Sequence, residues 1–156
     1  MLPLDLIASA NSLVASNKGK PSQVSLRRAT SSAYYAMFHC LARACADTLI
    51  GGASSERSKH AWRQIYRALE HGPAKERCKQ GLISEFPKAV EDFANLFVSM
   101  QVKRHDADYD PYIKLSKSEV LLDIRAAEQA LTDFRTVPIK DRRAFAAYVL
   151  FRQPRT

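Results

Sequence analysis

Four polar residues, Arg28, Ser32, Tyr35 and His39, recur at spacings of four, three and four in the otherwise small and apolar stretch "RRATSSAYYAMFHC". At 100° per residue they fall within about 60° of one another on a helix. A second set, Arg104, His105, Asp108 and Tyr109, lies in "KRHDADYDPY". These residue types suit phosphate chemistry. A guanidinium presents a fixed fork of donors to phosphate oxygens, and an imidazole gains or loses a proton near neutral pH. The plainer account makes Tyr35, His39, Arg104 and Asp108 one polar cluster inside the protein, because buried polar groups need partners. Asp108, one helical turn beyond Arg104, supplies a carboxylate for its guanidinium. On that account Arg104→Ala costs roughly 3–5 kcal/mol, by leaving a buried carboxylate unpaired.

The elements that must hold these residues follow from apolar periodicity. Leu6, Ala10, Leu13 and Val14 repeat at helical spacing before "NKGKPSQ" breaks the pattern. A long helix is expected from about Gln23 to Ile50. One stripe runs through Leu26, Ala29, Ala33, Met37, Cys40 and Ala44, and a second through Ser31, Tyr34, Phe38, Leu41 and Cys45. A helix apolar on two faces belongs at the centre of a bundle. Trp62, Ile65, Tyr66 and Leu69 predict a third helix ended by "HGP", with Lys59, Arg63 and Arg67 on its opposite face and a basic loop following to about Glu85. The fourth helix starts near Pro87, carries Val90, Phe93, Phe97 and Met100 on its stripe, and places Arg104 where the next apolar residue would stand. "DYDPY" ends it, since proline disfavours helical geometry in the residue before it. Ser116 and Glu119 suit a capping box ahead of a fifth stripe, Val120, Ile124, Ala127, Leu131 and Phe134. The tail "RRAFAAYVLFRQ" fits a last helix or a docked extended segment. The expected class is all-α, an antiparallel bundle of four to five helices over residues 1–136, with a basic and apolar tail over 137–156 packed on the same domain.

Composition narrows the setting. The 156 residues, 46% hydrophobic and 26% charged, suit one soluble domain with a single core. The longest apolar runs are too short to span a bilayer. "MLPLDLIASANSLVAS" lacks a basic leader region and reads as a helix rather than a signal peptide. Cys40, Cys45 and Cys78 form no CxxC and read as reduced core thiols of a cytoplasmic protein. His39, His60, His71 and His105 make no HxxxH or HExxH pair, so neither metal nor cofactor is expected. No phosphate loop, nucleophile elbow or dinucleotide fingerprint occurs. The net charge of +8 favours polyanionic partners. Its surplus lies in two segments: Arg57 to Lys79, with Arg57, Lys59, Arg63, Arg67, Lys75, Arg77 and Lys79 against Glu70 and Glu76, and the tail from Lys140.

"RRATSSAYYAMFHCLAR" on one helix and "KRHDADYDPY" closing a later one resemble the HEPN superfamily of small all-helical domains. The resemblance runs from the long helix through the fifth and leaves the basic tail out. It implies a helical bundle that usually dimerises and an RNA or nucleotide ligand. It further implies, for many members, a metal-independent endoribonuclease acting as a toxin beside a nucleotidyltransferase-type partner. Catalytic members carry an arginine followed, after four to six residues, by a histidine. Arg104 matches the arginine, whereas the histidine positions hold Tyr109, Asp110 and Pro111.

Metal-free RNA cleavage needs a base for the 2′-hydroxyl, an acid for the leaving oxygen and a cation on the phosphate. Two readings follow. In the first, the protein binds RNA or a nucleotide and has a ribonuclease centre: Arg104 holds phosphate, His105 and Tyr109 assist, and Lys59, Arg63 and Arg67 track the backbone. In the second, it is a non-catalytic, dimeric protein-interaction module in which Arg104, Asp108 and His39 are packing groups. A homodimer is expected in either case, because one small bundle would leave apolar surface of the central helix and tail uncovered.

Overall fold

The computed structural model describes residues 2–15 and 19–154. Ser22 caps the long helix: its hydroxyl accepts the Ser25 amide at 3.1 Å. This helix, α2 (Gln23–Leu49), follows α1 (Pro3–Ala15) and is followed by α3 (Lys59–Ala68) and α4 (His71–Cys78). A short 3-10 turn, Gly81–Glu85, leads to α5 (Lys88–Tyr109), α6 (Lys117–Arg135) and α7 (Ile139–Leu150). The protein is an all-α helical bundle with no strand among the described residues. Nor is any described helix long and apolar enough to cross a membrane.

The two apolar stripes of α2 explain its central place. Leu26, Ala29, Ala33 and Met37 on one side, and Tyr34, Leu41 and Cys45 on the other, are all buried. Five helices, α1, α3, α5, α6 and α7, lie against α2. Its alanines let neighbours approach closely, and larger side chains from the neighbours fill the space between. α1 contributes Ile7, Ala10 and Val14, α5 contributes Val90, Phe93, Phe97 and Met100, and α6 contributes Val120, Ile124, Leu131 and Phe134. Phe93 and Phe134 meet with ring centroids 4.8 Å apart, and Phe145 of α7 closes on both. Full burial of each such ring stabilises the fold by about 1.5–3 kcal/mol.

One stretch departs from expectation. "HGP" does not end α3 and open a loop; it is the first turn of α4, and Leu69 and Glu70 form the break before it. A proline in a helix's first turn has no intrahelical bond to lose, so Pro73 is accommodated in the first turn of this helix. The described residues form seven helices: α4 is added to the expected five, and the tail takes the helical one of the two forms its sequence allowed, as α7. α7 buries Phe145, Ala146, Tyr148 and Val149. It is fastened from both ends of its chemistry, Arg77 Nη1 donating to Val149 O at 2.7 Å and Tyr148 Oη donating to Arg77 O at 2.8 Å. The two apolar faces of α2 are thus covered within one chain.

The turn after α2 needs its glycine. Gly51 has φ of 141°, and a Cβ there would collide with the Ser55 hydroxyl. Ser116 caps α6 by accepting the Glu119 amide at 3.2 Å. Gln23 binds Leu115 through both backbone groups, at 2.8 and 2.9 Å, and so straps the segment after α5 to the start of α2.

Candidate functional site: a polar groove beside a tyrosine–histidine cluster

The stripe expected on α2 lines one groove. Arg28, Ser32, Tyr35 and His39 share it with Arg27 and Ser31, and α1 and the end of α5 supply Leu6, Leu13, Ala107 and Asp108; its volume is about 750 Å³. The adjacent arginines behave differently. Arg27 donates to Ala107 O at 2.9 Å, Asp110 O at 2.7 Å and Ile113 O at 2.8 Å. It occupies the carbonyl end of α5, where the helix dipole favours a cation. Arg28 is exposed and makes no hydrogen bond or ion pair with any described residue.

Behind Tyr35 lies a second, drier arrangement. Tyr34 is fully buried and bonds His71 Nδ1 at 2.6 Å. Phe38 stacks on the His71 ring with centroids 3.9 Å apart. Arg104 Cζ sits 5.1 Å from the Tyr34 centroid and 5.7 Å from that of Tyr35, within cation–π range. Arg104 also pairs with Asp108 at 3.6 Å, and its Nε is buried without a hydrogen-bond partner. Burial lowers the His71 pKa, and the Arg104 cation and His39 push the same way. Burial raises that of Tyr34, with Arg104 opposing it. Both groups therefore stay neutral, joined by one hydrogen bond between the phenol oxygen and Nδ1.

His39 repeats this chemistry with Tyr66 of α3, Nδ1 to Oη at 2.5 Å. Burial lowers the pKa of His39 and raises that of Tyr66, so both groups again stay neutral. The expected cluster of Tyr35, His39, Arg104 and Asp108 is thus reshaped. Tyr35, His39 and Asp108 do line one groove, and Arg104 does pair with Asp108. His39 turns to Tyr66, however, and His71 takes the place beside Arg104. The expected set Arg104, His105 and Tyr109 is not brought together. His105 and Tyr109 are exposed, with ring centroids 4.9 Å apart, because they stand round α5 from the inward-facing Arg104. A 100° step per residue gives that divergence.

Lys59, Arg63 and Arg67 form an exposed stripe on α3 with no ion pair among the described residues. Other parts of the basic surplus are engaged in structure. Arg57 pairs with Asp47 at 3.1 Å and lies 4.7 Å from the Trp62 ring centroid. Arg143 Nε donates to Thr48 O at 3.0 Å. Among the described residues, no three His, Cys, Asp or Glu side chains gather as metal ligands would. Cys40, Cys45 and Cys78 are free, and burial pushes each thiol up to about 12.

No family model, curated protein or solved structure matches the chain. The site rests on its own geometry. His71 and Arg27 escaped the sequence reading. The histidine stands in a tripeptide that resembles a helix terminator, and no local pattern distinguishes Arg27 from Arg28.

Proposed function

We propose that the protein is a HEPN-like RNA- or nucleotide-binding protein whose ligand occupies the groove between α1, α2 and the end of α5. One observation carries this reading: Arg28, without a partner among the described residues, stands in line with Ser32, Tyr35 and His39 along a groove of about 750 Å³. That volume falls in the range of small-ligand sites. A free guanidinium and two hydroxyl-bearing residues suit a phosphate. Tyr35 offers an aromatic face to a base, and Leu6, Leu13 and Val24 supply an apolar wall. The exposed Lys59, Arg63 and Arg67 stripe lies on α3, which His39 meets through Tyr66. It provides a track for a longer strand.

Binding without cleavage is the form the geometry favours. Cleavage needs base, acid and cation around one phosphate. His39 is the groove's sole imidazole, and its Nδ1 is held by Tyr66. Arg104 is drawn inward over Tyr34.

Fluorescence anisotropy with a labelled single-stranded RNA, and competition by nucleoside monophosphates, tests the reading. Arg28→Ala should weaken binding by about tenfold, as expected for loss of a charge-assisted contact, while the melting temperature stays unchanged. Replacing Lys59, Arg63 and Arg67 together by alanine should weaken RNA but not mononucleotide binding, and should flatten the salt dependence. Absence of binding by the parent protein overturns the proposal. Strand cleavage lost in His39→Ala would replace it with the ribonuclease reading.

A further inference from the structure

Arg43, Arg135 and Arg142 are far apart in the chain and come from α2, the last residue of α6 and the first turn of α7. The fold brings all three to the wall of one cleft of about 250 Å³. Leu4 and Phe134 supply apolar wall, and Asp47 is the cleft's one carboxylate. That carboxylate is already occupied, accepting from Arg57 at 3.1 Å and from the Trp62 indole at 2.8 Å. None of the three arginines has an ion pair among the described residues. Arg43 Nε is shielded from solvent and has no hydrogen-bond partner. Arg142 is held in place by its Nε, which donates to Val137 O at 2.9 Å. The Cys40 thiol in the same wall feels all three cations, which pull its pKa down against the larger upward push of burial.

Three guanidiniums around one opening repel one another, and among the described residues none of them has an ion-pair partner. A ligand that neutralises them must be anionic. With Asp47 paired to Arg57, the three guanidiniums leave an uncompensated positive surplus, which a dianion offsets better than a monoanion. A phosphate monoester carries close to that charge at neutral pH and presents three strong acceptor oxygens, enough for forks arriving from three helices. The apolar wall asks for a body attached to the phosphate, and the small volume excludes a polymer strand. We propose that this cleft is a binding site for a small phosphate monoester bearing an apolar or aromatic group. It is separate from the groove of α1, α2 and α5, and the inference stands without that reading.

Isothermal titration calorimetry at low salt, with phenyl phosphate, inorganic phosphate and benzoate as probes, tests it. The expected result is saturable one-to-one binding of phenyl phosphate, about tenfold tighter than inorganic phosphate because the ring leaves water. Benzoate should bind more weakly than phenyl phosphate. Arg135→Gln is the cleanest variant, since Arg135 is exposed and bonds no described residue. It should lower phenyl phosphate affinity by about tenfold, while Arg28→Gln in the groove leaves it unchanged. The proposal is overturned if phenyl phosphate gives no saturable binding, if benzoate binds as tightly, if Arg135→Gln binds as the parent does, or if Arg28→Gln abolishes binding.

Discussion

His39 and His71 each bond a tyrosine hydroxyl through Nδ1 and are both held toward the neutral state by burial, yet their surroundings differ. The His71–Tyr34 pair joins α4 to the centre of α2, with Tyr34 fully buried, Phe38 stacked on the imidazole and Arg104 over the phenol ring. The His39–Tyr66 pair joins α3 to the same helix, but Tyr66 is only half-buried and His39 lines the groove. One hydrogen bond chemistry therefore closes a helix junction in the first case and fixes a group beside open space in the second. What distinguishes an enclosed histidine from a groove-lining one here is which neighbour covers its ring, not its own bonding.

Truncation should separate the two pairs most strongly. Tyr34→Ala removes a fully enclosed ring and is expected to destabilise the protein by about 3–5 kcal/mol, read from the urea midpoint. Tyr66→Ala should cost clearly less, and equal losses would erase the contrast. Next in size is Arg104→Ala. Its side chain is 12% exposed, but that of Asp108 is 31% exposed, so the carboxylate left behind regains water. The expected loss is about 1–3 kcal/mol, below the figure that a buried carboxylate would give. A loss near zero would detach Arg104 from the Tyr34 cluster.

Removing only the hydroxyls sharpens the comparison. Tyr34→Phe leaves His71 Nδ1 unpartnered in dry surroundings and should cost about 1–2 kcal/mol. Tyr66→Phe should cost about 0.5–1 kcal/mol, and should change ligand affinity in the groove, which Tyr34→Phe leaves alone. The smallest effect is the pH dependence. The unfolded chain takes up protons as pH falls through the ordinary histidine value of 6.5, before the folded protein does. Stability from the neutral imidazoles is then complete above that value and declines as pH drops from it toward the lowered folded values. Urea midpoints across this window should show the decline, and His71→Asn should reduce its slope. An unchanged slope in that variant would mean that His71 titrates as it does in the unfolded chain.

Apolar spacing marked α1, α2, α3, α5 and α6, and the Ser116–Glu119 pattern marked the cap of α6, because these depend on residues within a few turns of each other. The polar stripe on α2 was legible for the same reason, since a helix fixes the relative direction of Arg28, Ser32, Tyr35 and His39. The Arg104–Asp108 pair is likewise local. What the stripe faces was not. That Arg27 ties down the end of α5 while Arg28 stays free depends on contacts about eighty residues away. The choice of His71 over His39 as the neighbour of Arg104 depends on α4, whose first turn reads as a terminator when seen without its packing. The three-arginine cleft required α2, α6 and α7 to converge. Local patterns determine elements and the faces they carry, because propensity and periodicity act over short stretches of chain. Tertiary structure decides which faces meet, because burying one polar group obliges a specific partner that only the assembled bundle can bring to it.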